Sequence, residues 1–181
     1  MRITGGTLRS RKLLSIESTK LRPATDRLRV TMFDILRNIL DIDGATALDL
    51  YAGTGSVGFE TISRGAKRVV FVESDRLIAA VIRRNAESLG VLERCDIHLA
   101  AAERYVETAR EKFDIAYVDP PYALNDRTHE IIDRMLQRQL VNESGIICVE
   151  HSKAYEPPPG ILMRQKIFGS TILSFIKPET K

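Results

Sequence analysis

From residue 45 onward, short apolar runs and amphipathic stretches take turns along the chain, and this alternation limits the possible folds more than any other feature. The runs lie at 45–51 (ATALDLY), 68–73 (RVVFVE), 96–100 (DIHLA), 113–119 (FDIAYVD) and 145–151 (GIICVEH). Each is too short for a helix and mostly apolar throughout, the pattern of a strand covered on both faces. Helices are expected between them at 56–64, about 76–89, about 102–111 and about 127–139. In the second of these, Leu77, Ala80, Val81 and Arg84 are read as one stripe, with Gly90 as the stop. Alternation of this kind dictates a parallel sheet with right-handed crossovers. Residues 163–177 depart from it, because two β-rich runs flank Gly169-Ser170 and predict an antiparallel hairpin. The expected fold is α/β: a doubly wound, Rossmann-like, mostly parallel sheet closed at one edge by that hairpin.

The first 44 residues follow another pattern. MRITGG and RKLLSI predict a small hairpin around Gly5-Gly6 that can stand clear of the body. Pro23 and a cap at Thr25 or Asp26 then start a helix with Leu28, Met32, Ile35, Leu36 and Ile39 on one face, which must dock on the sheet. Residues 1–30 carry eight Lys and Arg against two acids, a surplus of six, within a chain whose net charge is +3. A basic end on a mildly acidic body is the footprint of a polyanion binder. The division expected is a basic nucleic-acid-binding arm at 1–20 and a sheet domain at 21–181. Deleting residues 1–14 is then expected to weaken nucleic-acid binding and spare both the core and any ligand site in the sheet domain.

Bulk properties narrow the setting. A chain of 181 residues, 44% hydrophobic, suits one globular domain. No apolar run approaches the ~20 residues needed to span a bilayer, and the basic N-terminus has no apolar signal region, so a cytoplasmic protein is expected. Cys95 and Cys148 each sit in an apolar run, as buried free thiols do, and no zinc-ligand spacing occurs. His98, His129 and His151 are scattered over separate elements and read as surface or core residues.

The chemistry gathers at the strand ends, where open α/β sheets bind ligands. Asp49, Glu73, Asp119 and Glu150 close the first, second, fourth and fifth strands. The turn DLYAGTGSVGFE (49–60) spaces Gly53, Gly55 and Gly58 as G-x-G-x-x-G after a strand and before a helix, and Glu73 lies 20 positions beyond Gly53. Such a turn lets a ligand approach the backbone, and an acid at the next strand's end accepts both hydroxyls of a ribose. A dinucleotide would bring a pyrophosphate beside Asp49, which repels it. S-adenosylmethionine brings an ammonium and a sulfonium instead, and charge selects it. The turn supplies Asp49, Tyr51, Ala52, Gly53, Thr54, Gly55 and Gly58 as candidate cofactor residues. The ends of the second and third strands add Glu73, Ser74, Ala101 and Ala102.

Asp119-Pro120-Pro121-Tyr122 follows the fourth strand. Two prolines cannot extend a ladder, so they force a stiff exit. The Asp119 carboxylate and a proline carbonyl can accept the two hydrogens of an exocyclic amino group. That aims the nitrogen lone pair and stabilises the positive charge growing on nitrogen. Tyr122 offers a stacking face for an unstacked base.

These residues resemble the class I S-adenosylmethionine-dependent methyltransferases that act on amino nitrogens. GGTLRSRKL (5–13) and LRPATDRLRVTMFDIL (21–36) narrow the resemblance, along essentially the whole chain, to the 16S ribosomal RNA guanine-N2 methyltransferases of the RsmD type. The resemblance implies that Asp49, Gly53, Gly55 and Glu73 hold the cofactor, and that Asp119, Pro120, Pro121 and Tyr122 hold the base. Arg22, Thr25, Asp26 and Arg27 would shape the wall near the target, and Arg9, Arg11, Lys12, Arg22 and Arg27 would contact RNA. The implied partner is 16S ribosomal RNA or a small-subunit assembly particle, the implied state a monomer, with no membrane and no metal. Three positions depart from the family: Ser10 replaces a usual Gly, Val30 a usual Glu, and Ala101 an acid or amide that grips adenine, leaving adenine to backbone groups. The alternatives are an amino-methyltransferase for another base or RNA, and an assembly factor that keeps the pocket without turnover.

Overall fold

The computed structural model describes residues 1–15, 26–121, 128–158 and 161–178. The alternation resolves into strands β1 (Thr46–Leu50), β2 (Arg68–Glu73), β3 (Cys95–Leu99), β4 (Phe113–Val118), β5 (Val141–His151), β6 (Leu162–Phe168) and β7 (Thr171–Ile176). Helices α1 (Asp26–Leu36), α2 (Ser56–Ser63), α3 (Arg76–Leu89), α4 (Ala102–Thr108) and α5 (Thr128–Gln137) complete the chain. The strands form one seven-stranded sheet in the order β3-β2-β1-β4-β5-β7-β6. The first five run parallel, and β7 joins β5 and β6 antiparallel. The doubly wound sheet with its closing hairpin is as expected.

Period-2 alternation builds both faces of that sheet. Ala47, Val69, Phe71, Ile115, Tyr117, Ile146 and Cys148 share one core with α1, α2 and α3. Leu48, Leu50, Val70, Val72, Ala116, Val118, Ile147 and Val149 share the other with α4 and α5. Every central strand is therefore buried on both sides, which is why its sequence reads as an unbroken apolar run.

Several expectations need correction. The buried face of α3 is Ala79, Ile82, Asn85, Ala86 and Leu89, whereas Leu77 is 74% exposed and Ala80 and Arg84 face solvent. The i, i+3, i+7, i+10 series from Ala79 carries the small and apolar residues that lie flat on a sheet, and a stripe containing Arg84 does not. β5 begins four residues early, at Val141, because Asn142 Nδ2 donates to Asp114 Oδ1 at 2.7 Å and a register shift absorbs the polar segment. Cys148 is buried, but Cys95 is only partly so.

The N-terminal hairpin exists, with Arg2 bridged to Lys12 and Ser10 in the left-handed region at φ 69°. A glycine is the residue that adopts this φ without cost. The hairpin does not stand clear. Ile3 and Leu13 are 1% and 5% exposed within the core that holds α1, α2 and α3. The Thr4 N–H and hydroxyl both donate to the Glu60 carboxylate at 2.7 Å, and Glu60 is fully buried and paired to Arg64. Residues 1–14 therefore pack as part of the folded body, and their loss is expected to disturb the core rather than spare it. Helix α1 docks as expected through Leu28, Met32, Ile35 and Leu36, joined by Phe33. Arg29, counted with the basic end, is instead fully buried against Asp26 and the Arg2 carbonyl.

Candidate functional site

The chain leaves β1 toward β2 on one side and β4 toward β5 on the other, so the sheet reverses its winding between β1 and β4. Leu50 and Val118 are register partners there. The glycine turn after β1 and the Asp119-Pro120-Pro121 exit after β4 thus emerge from adjacent strands, at the position where α/β sheets bind ligands.

Asp49 is the electrostatic centre of this edge. It is 4% exposed, and its Oδ2 accepts the Gly58 N–H at 2.9 Å. Burial pushes its carboxyl up to about 7, the Gly58 bond opposes that rise, and the nearby Glu73 charge adds to it. Among the described residues no cation pairs with it. A buried carboxylate near a second carboxylate and without a counter-charge carries an uncompensated cost of ionisation.

Glu73 holds the turn from the other side. Its Oε2 accepts the Gly53 N–H at 2.9 Å and its Oε1 the Asp75 N–H at 2.9 Å. Oε1 also accepts the Ser74 hydroxyl at 3.4 Å, while Oε2 keeps a lone pair for a further donor. The turn is also tied to β2 by the Ala52 N–H donating to the Val72 carbonyl at 2.9 Å. Gly55 caps α2 at φ 82°, where an added Cβ would sit 2.6 Å from the Phe59 ring. Gly58 lies against the Phe71 ring with no room for a Cβ. Its place is helix-to-sheet packing and the Asp49 bond, not a surface open to a ligand.

The remaining candidates divide. Tyr51, at φ 64°, donates its hydroxyl to Glu103 Oε1 at 3.1 Å and so bridges the turn to α4. Thr54 is 6% exposed beside the glycines, and Ala102 is 4% exposed in the core under α4. Ser74 and Ala101 face solvent beyond β2 and β3, and Asp119 and Pro121 face solvent beyond β4 with Pro120 buried between them. Arg9, Arg11, Lys12 and Arg27 are exposed, with Arg11 Nη2 donating to the Ser88 carbonyl at 2.7 Å. Tyr122, Arg22 and Thr25 lie outside the described residues.

Sequence reasoning misses Asn85. It is 1% exposed on α3 and donates from Nδ2 to the Thr54 carbonyl at 3.2 Å, inside the glycine turn. A polar residue at helical spacing among Ala79, Ile82, Ala86 and Leu89 is the signal that could have found it.

The sheet order, the glycine turn and the paired acids define a class I S-adenosylmethionine-dependent methyltransferase. The family model described as "Conserved hypothetical protein 95" matches residues 1–177, and the chain belongs to that family, the RsmD type that its motifs resemble. It is 34% identical over its whole length to the Ribosomal RNA small subunit methyltransferase D of Escherichia coli K12, covering 91% of that protein. The protein of the same name from Haemophilus influenzae is 30% identical over 93% of this chain and 89% of its own. A solved structure of a hypothetical protein from Thermus thermophilus superposes with a TM-score of 0.85 at 29% identity, covering 98% of this chain and 99% of that one. An RNA methyltransferase from Salinibacter ruber, solved with S-adenosyl-L-homocysteine, shares the fold alone, with a TM-score of 0.69 at 13% identity over 88% and 95% of the chains.

Proposed function

We propose that this protein methylates the exocyclic N2 amino group of a guanine in 16S ribosomal RNA, with S-adenosylmethionine as donor. The observation that carries the reading is the convergence of the buried Asp49 carboxylate, the Glu73-held turn and the Asp119-Pro120-Pro121 exit at one switch point of the sheet. The ribosomal RNA part is supported by the names of relatives covering most of the chain. The guanine-N2 part rests on the resemblance of the N-terminal motifs.

When bound, the cofactor supplies an electrophilic methyl group. Asp49 meets its positive charge, the turn admits it close to the backbone, and Glu73 receives the ribose. An exocyclic amino nitrogen is a poor nucleophile because its lone pair is delocalised into the ring. Asp119 and a proline carbonyl accept its two hydrogens, turn the lone pair out of conjugation and stabilise the charge that develops on nitrogen. The proton can leave after transfer, so no strong base is required. The rigidity of the proline pair keeps both acceptors in place. Tyr122 would stack the base, and Arg9, Arg11, Lys12, Arg22 and Arg27 would meet phosphates.

The test is transfer of labelled methyl to small-subunit RNA by the wild type and by Asp119→Ala. Label in the wild type only, recovered as N2-methylguanosine, is the expected outcome. Equal label in both, or label on another atom, refutes the assignment.

A further inference from the structure

The N-terminal hairpin and the glycine turn are joined by one buried side chain. Asn85 accepts the Leu14 N–H on Oδ1 at 2.8 Å. Its Nδ2 donates to the Leu14 carbonyl and the Thr54 carbonyl, both at 3.2 Å. The pattern determines the amide's orientation, because a flip would set its oxygen against two carbonyls and its NH2 against an N–H. We infer that Asn85 is a positioning residue through which the docked hairpin holds the cofactor turn, making the affinity for S-adenosylmethionine depend on residues 1–15. The inference rests on the reading that this turn binds the cofactor.

The physical case is one of satisfaction and rigidity. Thr54 lies between Gly53 and Gly55, both in the left-handed region at φ 54° and 82°. A turn with two such glycines has many alternative conformations, and two side chains, Glu73 on the Gly53 N–H and Asn85 on the Thr54 carbonyl, restrain it beside the backbone bonds from Ala52 to Val72 and from Gly55 to Ala52. Asn85 is 1% exposed, so removing it leaves the Thr54 carbonyl buried and unpaired. The other end of the clamp is anchored independently of the site. The Thr7 N–H donates to the Ser63 carbonyl at 2.7 Å, and the Leu8 N–H to Ser63 Oγ at 2.9 Å. The basic hairpin is thus linked by a continuous hydrogen-bonded path to the backbone that receives the cofactor. A ligand that shifts the hairpin shifts cofactor affinity, and linkage requires the reverse to hold equally.

Two variants and two measurements test this. Asn85→Ala removes the clamp. Leu14→Pro removes the Leu14 donor on a residue that is 53% exposed, and protection of β4 checks that the neighbouring Leu13 keeps its place in the core. Hydrogen exchange of residues 51–58 reads the turn without any cofactor, with β4 as the reference for global stability. Titration calorimetry reads S-adenosylmethionine affinity. Both variants are expected to speed exchange at 51–58 selectively and to weaken the cofactor, Leu14→Pro roughly fivefold for the loss of one net hydrogen bond and Asn85→Ala by more, since it loses three. Unchanged exchange in the turn with β4 protected as in the wild type overturns the clamp. Faster exchange with unchanged affinity also overturns it, provided Glu73→Ala still weakens binding. If Glu73→Ala binds normally as well, the assignment of the turn to the cofactor is what fails.

Discussion

Asp49→Asn should make the cofactor-free protein more stable at alkaline pH and weaken its grip on the cofactor. Burial raises the Asp49 carboxyl from 3.8 to about 7, so the folded protein holds a proton that the unfolded chain has released between those values. Stability contributed by this group is therefore fully present below pH 3.8, declines as the pH rises, and is lost above 7. The gap corresponds to roughly 4 kcal/mol. Between pH 5 and pH 8 the penalty grows by roughly 2–3 kcal/mol, and asparagine, which can still accept the Gly58 N–H, does not incur it. Urea unfolding of both proteins at the two pH values measures this directly. The asparagine variant should gain on the wild type by about that amount from pH 5 to pH 8. Wild-type affinity for S-adenosylmethionine, measured below neutrality, should rise with pH toward 7 as the carboxylate ionises, and the variant should show neither the slope nor the affinity. A stability difference independent of pH, or a variant that binds as well as the wild type, would refute the claim that Asp49 carries buried charge for a cationic ligand.

Asp119→Ala should reduce methyl transfer by roughly 10²–10³ with S-adenosylmethionine affinity near wild type, read by single-turnover labelling and calorimetry. Glu73→Ala should show the reverse order of effects, weakening the cofactor first, since it loses the bonds to Gly53 and Asp75 as well as the ribose acceptor. Deleting residues 1–14 should lower the melting temperature, because Ile3, Leu13 and the Thr4 partner of buried Glu60 go with it. It should also flatten the log–log salt dependence of RNA binding by about 0.7–0.9 for each phosphate no longer neutralised. A truncated protein that melts like the full chain would contradict the packing described. Gly58→Ala should destabilise the fold through its clash with Phe71, and normal thermal stability would show that α2 can shift away from the sheet.

The parallel sheet was legible because strands covered on both faces must be apolar at successive positions, and β1, β2, β4 and the second half of β5 are. The glycine turn was legible because its spacing, its preceding strand and Glu73 agree with one another. The face of α3 was not, since two stripes with apolar members compete on that helix and only packing against β2 and β3 chooses Ala79, Ile82, Ala86 and Leu89. The docking of the hairpin was also hidden. Its anchors are two apolar residues, Ile3 and Leu13, and a Thr4–Glu60 bond 56 positions apart, none of which leaves a local periodic signal. The same separation hid Asn85, whose partners at 14 and 54 meet only in the folded chain.

The central claim is the identity of the methylated atom, and nucleoside mass spectrometry of small-subunit ribosomal RNA tests it most directly. RNA from cells lacking this protein should lose one N2-methylguanosine, restored by the wild type and not by Asp119→Ala. An unchanged N2-methylguanosine content, or restoration by Asp119→Ala, would contradict the account.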